Sequence, residues 1–348
     1  IVDAQRYLHA LGITGWQEAI VGDYAVVPDC FDAYLEADRR GLLTARVVGA
    51  LWWQRGIGLG QLDGLAERRE KAAGAGRFRA TSIKIMQDGV CENFTASMLA
   101  PYLDGSGHET DGHGASFFAP QELNEAVIAI DGRGFQVHFH AIGDRAIRVV
   151  LDAVAAARHA NGPADHRHHI SHIQVVHPDD LQRFRDLDVL ANCQALWACE
   201  EPQMTELTLP FLGPERSSWQ YPFGRLLRSG AQLCFGSDWP VSSPDLLWEM
   251  HVAVNRTVPP GYPYAGPGAG RVFLPGDRIG LHDAIAAATI GSAYVNHADD
   301  ISGSLEPGKA ADLVVLDRNL FAHPVEEIAL AKVDLTISGG QIVHERGQ

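Results

Sequence analysis

The chain has 348 residues, a hydrophobic fraction of 46% and a formal net charge of -15. That length holds one barrel-sized core plus a small extra unit, and the composition is that of a packed globular chain rather than a disordered one. The acidic balance excludes the basic footprint that nucleic acid or an anionic membrane demands, so the expected partner is a small-molecule substrate. Five scattered cysteines (Cys30, Cys91, Cys193, Cys199, Cys234) form no C-x-x-C pair, which points to a reducing, cytoplasmic setting. No apolar run reaches the ~18 residues of a membrane span, and no signal peptide follows Ile1.

Short β-like runs alternate with amphipathic stretches, the pattern of parallel strands joined by helices. A short helix precedes a strand in "GITGWQEA". Residues 28–41 are predicted helical, with Phe31, Tyr34, Leu35 and Asp38 at helical spacing. "TARVVGALW" and "FRATSIKIM" are buried strands, with helix and loop between them over 55–76. Residues 92–120 form a long, Gly-rich polar connection, and loops of that length are commonly lids. A helix follows over 120–134, then the strand "FQVHFHAI" and the helix "RAIRVVLDAVAAARHA". "HRHHISHI" is a strand, 178–188 a helix, "VLANCQALW" a strand, 221–229 a helix and "AQLCFGSD" a strand. A helix over 281–296 closes the series. The tail, "GSLEPGKAADLVVLD" and "VDLTISGGQIV", has short strands and turns without alternating helices.

Seven strands therefore have barrel character. The fold class expected is α/β, a (β/α)8 TIM-like barrel whose first strand would precede Ile1, with a small C-terminal β-sandwich part. The expected division is 1–300 for the barrel and 301–348 for part of the sandwich. A seven-stranded barrel leaves open edges, so a partner segment or a homodimer is expected.

Four apolar runs stop at a polar residue: Lys84, His140, His172 and Asp238. In a barrel, strand ends meet at the catalytic face. His140 and His172 lie on consecutive strands, so both imidazoles can reach one metal ion. Asp238 can ligate a metal and take a proton from water. An ammonium beside a divalent cation is repelled, so Lys84 is either a neutral amine or a carbamate formed with CO₂. Taken singly, a strand-end histidine is more often a core or loop residue. His138 shares a face with His140, so "HFH" alone also reads as a two-histidine ligand pair. His113, His168, His169 and His177 read as loop or surface residues. Asp144 and Arg145 read either as a helix cap and a surface charge or as substrate contacts. Trp52, Trp53, Trp197 and Trp239 read as packing at the barrel mouth. Arg145, Trp197 and Trp239 are the substrate-contact candidates, with the long 92–120 loop above them.

The strings "SIKIMQDG", "VHFHAIGDRA", "HHISHIQ", "CFGSDWPV" and the tail "GSLEPGKAADLVVLD" resemble the amidohydrolase superfamily, in particular amidohydrolase family 3, which includes enzymes like N-substituted formamide deformylase. The resemblance runs from "LGITGWQEA" to "ISGGQIV". It implies a distorted TIM barrel with a β-sandwich built from both chain ends, and hydrolysis by metal-activated water. It implies that Lys84 is the carboxylated lysine that bridges two metals. His140 and His172 match ligands of the second metal, and Asp238 matches the aspartate that binds the first metal and shuttles protons. The expected cofactor is zinc, one or two ions, with other divalent metals accepted by the same ligands.

Two departures stand out. The family opens with a His-x-His pair on its first barrel strand, and only His9, on a helical stretch, lies upstream here. The expectation is a chain lacking its first half-sandwich, first strand and two ligands, so that it binds at most one metal tightly and has weak or no activity. Ser171 also precedes His172 where many relatives carry Glu. The expected activity is metal-dependent cleavage of a C–N bond in an amide, formamide or cyclic amide. The alternatives are a ring-amine deaminase using the same site and a non-catalytic binding or regulatory relative.

Overall fold

A computed structural model describes residues 1–25 and 27–347. Helix α1 (Val2–Ala10) leads into β1 (Gly15–Val21). Then come α2 (Phe31–Arg39), β2 (Arg46–Trp52), α3 (Leu62–Ala73) and β3 (Phe78–Met86). The alternation continues through α4 (Pro120–Gly132), β4 (Gln136–Ala141), α5 (Asp144–Asn161) and β5 (His169–His172). After α6 (Leu181–Asp186) and β6 (Leu190–Cys193) come three helices, α7 (Pro202–Leu207), α8 (Leu209–Ser217) and α9 (Phe223–Ser229). Strand β7 (Leu233–Phe235), then α10 (Leu246–Asn255), α11 (Leu281–Ala286) and α12 (Ser292–Val295), complete the large unit. The tail forms β8 (Leu313–Leu316), β9 (Val333–Ser338) and β10 (Gln341–Glu345).

Among the described residues β1 to β7 form one parallel sheet in chain order, with β1 and β7 at its edges. β4 is buried along its whole length, as a strand covered on both faces must be. In α5, Ile147, Val150, Leu151 and Val154 bury one stripe at i, i+3, i+4 and i+7. The sheet curls: Gln17 on β1 hydrogen-bonds to Gln136 on β4 (3.0 Å) and to His169 on β5 (3.1 Å). Contacts across that many strands require barrel-like closure. The tail strands form a separate antiparallel sheet, ordered β10-β9-β8. Thr336 of β9 ties it to α1 through the His9 carbonyl (2.7 Å), and Asp312 ties it to Arg46 of β2 (3.1 Å). No helix among the described residues is long and apolar enough to cross a membrane.

Some elements differ from the sequence expectation. The "VLANCQALW" strand ends at Cys193, and Ala195–Trp197 forms a 3-10 turn. The predicted helix over 281–296 is broken by a π-turn at Ala287–Gly291. There a side chain at Gly291 would stand 2.3 Å from the Leu233 carbonyl, so the chain needs glycine to lie against β7. Ser292 then donates to the Phe235 carbonyl (3.2 Å), and the local bulge serves that close approach. Helices α7, α8 and α10 lie in stretches where the sequence reading placed no element.

Candidate metal centre at the strand ends

Lys84 lies on β3, His140 on β4, His172 at the last position of β5, and Asp238 three residues after β7. All four therefore lie at or near the C-terminal ends of parallel strands. Alternation along β5 puts Ser171 beside His138, where its hydroxyl meets His138 Nε2 at 2.6 Å. The next residue should then point to the other face. His172 has φ 75° instead, and this left-handed turn brings its ring to 4.3 Å from that of His140, centroid to centroid. Asp238 is also left-handed, with φ 56°. Such backbone costs about 1–3 kcal/mol per non-glycine residue and concentrates at functional sites.

Both imidazoles are buried, and Nδ1 of each makes no hydrogen bond. His140 Nδ1 is 3.2 Å from Asp88 Oδ1, but the contact is misaligned for a hydrogen bond. Burial pushes the His172 imidazole well below 6.5, with His140 and Lys84 adding to the effect, so the ring is neutral as a ligand must be. Burial also pushes the Lys84 ammonium down to about 8, against the pull of Asp238. The Asp238 carboxyl is raised by burial and lowered in turn by Lys84 and His140. Desolvation thus outweighs the mutual attraction in both groups.

This donor set fits a divalent cation in kind. It has two buried imidazoles with unpartnered nitrogens, a carboxylate, and a buried amine whose lowered basicity suits conversion to an anionic carbamate. Among the described residues no three His, Cys, Asp or Glu side chains converge tightly enough to hold a metal by themselves. The convergence is the His140–His172 pair, with Lys84 and Asp238 within electrostatic reach.

Below the pair the barrel interior is polar rather than packed with branched aliphatics as barrel cores usually are. His138 and His169 rings lie 4.2 Å apart. Asn192 bridges Ser171 (3.0 Å) and His169 Nδ1 (3.3 Å), and Gln17 joins His169 to Gln136 and Asn296. His169 is therefore interior, not a loop or surface residue. His168 is fully buried as well: its Nε2 donates to Asp131 (3.0 Å) and its Nδ1 accepts from Val137 N–H (3.0 Å). A separate cavity of about 190 Å³ opens at the opposite ends of the strands, lined by Arg79, Thr81, Gln136, His166, Asn296 and His297, and contains none of the four residues.

The substrate-contact candidates separate. Trp197 is stacked on His172, at 6.1 Å and 18°. Trp239 packs instead on Tyr7 of α1 (5.6 Å) and is exposed. Arg145 is exposed in the first turn of α5, where its backbone N–H donates to the Ser97 carbonyl (3.1 Å). Asp144 is buried and makes no helix-cap hydrogen bond; it accepts from Leu99 N–H (2.8 Å), which pins the long loop to α5.

That loop is a docked wall rather than a free lid. Asp88 accepts from Ser97, Ile142 and Gly143 N–H at 2.9, 3.0 and 2.8 Å. Arg216 of α8 donates to the Ala100 and Pro101 carbonyls at 3.0 and 2.8 Å. Asp88 was passed over in the sequence, although it stands just beyond the end of β3, where functional residues of a barrel gather.

Residues 2–344 match the sequence model of the amidohydrolase family. The protein LONG AFTER FAR-RED 3 of Arabidopsis thaliana is 31% identical over 75% of this chain and 42% of its own length. The N-substituted formamide deformylase of Arthrobacter pascens is 25% identical over 67% of this chain and 41% of its own length. The chain thus spans less than half the length of these curated relatives. A crystal structure of an uncharacterised metal-dependent hydrolase from Pyrococcus horikoshii superposes over 93% of this chain and 60% of that one, with TM-score 0.73 and 25% identity. With a family match running from the first helix to the last strand, this chain belongs to the amidohydrolase family, and to its family 3 in particular.

Proposed function

We propose that this chain carries the metal-binding strand ends of a hydrolase that cleaves a C–N bond in an amide, formamide or cyclic amide. The observation that carries the reading is the His140–His172 pair, brought together by a left-handed residue at the end of β5. His140, His172 and a carboxylated Lys84 would hold a zinc ion, with Asp238 beside it. A divalent cation held there supplies Lewis acidity toward a carbonyl oxygen and makes water acidic enough to react near neutral pH.

The chain's own residues do the rest. Asp238, partly buried and raised in basicity, accepts a proton from the attacking water and returns it to the leaving nitrogen. Trp197, stacked on His172, gives the substrate an apolar wall on that side. The loop after β3 is held against the ends of β3 and β4 by Asp88 and Asp144, which gives the site a wall on that side. The formamide named for the Arthrobacter pascens relative supports an acyl C–N substrate class.

The test is a screen of N-substituted formamides, amides and cyclic amides with zinc-loaded protein, quantifying amine plus acid against ammonia. Amine plus acid, abolished by Asp238→Asn, supports the reading. Ammonia from a ring amine selects deamination instead, and ligand binding that Asp238→Asn leaves intact, with no turnover, selects a binding protein.

A further inference from the structure

We infer that Gln194 is a positioning residue for His172: its side-chain oxygen takes the backbone N–H of the histidine where the strand ladder stops, and so holds the left-handed turn that sets the ring beside His140. The inference rests on the metal-site reading for its purpose, but not for its geometry.

Parallel pairing of β5 with β6 matches His169 with Leu190, Ile170 with Ala191 and Ser171 with Asn192, and stops there. His172 and Ile173 then both turn left-handed, with φ 75° and 40°. Such a conformation persists in residues with a Cβ only where the surroundings hold it. On the β4 side the hold is Ile173 N–H, which donates to the Ala141 carbonyl (3.2 Å). On the β6 side a continued ladder would take the His172 N–H to a backbone carbonyl. It donates instead to the Gln194 side-chain oxygen at 2.6 Å, and both residues are buried. A backbone N–H can only donate, so the oxygen end of the amide must face it. The nitrogen end then donates to Asn192 Oδ1 (3.4 Å), and Asn192 donates to Ser171 Oγ (3.0 Å). Gly236 leaves room for the two amides: a Cβ there would stand 2.8 Å from Asn192 Oδ1 and 3.4 Å from Gln194 Nε2. The Gln194 carbonyl also accepts from Trp197 N–H (3.3 Å), and Trp197 is the ring stacked on His172. One residue therefore holds both the backbone of His172 and the aromatic ring against its imidazole.

Two substitutions separate this contact from simple packing. Gln194→Met keeps an unbranched side chain of similar length and removes the acceptor, leaving the buried His172 N–H unpaired. Gln194→Glu keeps the shape and an oxygen toward His172. Burial favours its neutral acid, which donates to Asn192 as the amide does.

The experiment measures backbone amide exchange by NMR of the nitrogen-15 histidine-labelled chain, and zinc affinity by chelator competition, on the wild type and both variants. The His172 and His140 amides are assigned by their loss in His172→Gln and His140→Gln. The expected result is a protected His172 amide in the wild type and in Gln194→Glu. In Gln194→Met that amide should exchange at least about 10-fold faster while the His140 amide on β4 keeps its protection, and zinc affinity should fall by about 10–100-fold. A His172 amide that exchanges freely in the wild type, or equal protection in the wild type and Gln194→Met, overturns the inference. So does zinc affinity unchanged in Gln194→Met, or protection lost equally at His172 and His140. If Gln194→Met does not fold, the wild type and Gln194→Glu decide, and loss of His172 protection in the latter overturns the inference. The metal-site reading fails separately, if the wild type takes up no zinc; exchange at His172 then still decides whether Gln194 holds that residue.

Discussion

Replacing Lys84 with methionine should stabilise the metal-free chain while removing a ligand. The ammonium is buried in β3, and its ordinary value of 10.5 falls to about 8 because desolvation disfavours the charged form more than Asp238 favours it. At about 1.4 kcal/mol per pH unit, that fall means the folded state bears a penalty of about 3 kcal/mol whenever Lys84 is protonated. The sign follows from proton binding. Between pH 8 and 10.5 the unfolded chain holds a proton that the folded chain has released, so the contribution of Lys84 to stability rises with pH there. Below 8 both states are protonated and the penalty is present in full. Lys84→Met keeps an unbranched side chain of similar length and removes the penalty. Urea unfolding of chelator-treated protein in CO₂-depleted buffer, which keeps Lys84 an amine, should show the variant more stable by about 3 kcal/mol at neutral pH. The gap should close as pH approaches 10.5. A variant no more stable than wild type at neutral pH, or a gap independent of pH, would refute the reasoning. Stability gained by deleting a buried ionisable group is expected where that group is retained for chemistry.

Glu249 on α10 has no exposed surface, and neither carboxylate oxygen has a hydrogen-bond partner. Burial holds its carboxyl well above 4.5, with Asp245 adding to the effect. Above 4.5 the unfolded chain releases a proton that the folded chain keeps, so wild-type stability should fall by about 1.4 kcal/mol per pH unit from this group. Denaturation of Glu249→Gln from pH 4.5 upward should lack that slope, and parallel curves would contradict the assignment. Gly143 has φ -80° and ψ 154°, which alanine adopts freely, but a Cβ there would lie 2.1 Å from the Ser97 carbonyl oxygen. Gly143→Ala should therefore cost about 1–3 kcal/mol by overpacking and should expose the 97–116 segment to limited proteolysis. An unchanged melting temperature and digestion pattern would mean the loop is not held there.

The strand-end placement of the candidate site was legible because a strand end is a local pattern. An apolar run terminated by Lys, His or Asp marks where a side chain emerges at the barrel mouth, and Lys84 and His140 follow that rule directly. His172 lies on the correct strand, but alternation alone would have pointed it away from His140; only its left-handed backbone reveals the pairing. His168 and His169 looked like surface residues because polarity was read without partners. Asp131, Val137, Gln17 and Asn192 satisfy them in the interior, and those contacts span 23 to 152 residues. Trp239 follows Asp238 in the chain, yet its ring packs on a tyrosine more than 200 positions earlier. The fold of the first seven strands followed from alternating strand and helix periods. Helix α10 did not, because its sequence, LLWEMHVAVN, is apolar on nearly every side and has no amphipathic period to read.

The most direct test of the central claim is zinc content per chain after dialysis, measured by elemental analysis on wild type, His140→Ala and His172→Ala. The account predicts about one tightly held zinc per chain in the wild type, reduced to trace in either variant. A wild type that holds no zinc, or zinc retained in both variants, would show that the strand-end pair is not a metal centre.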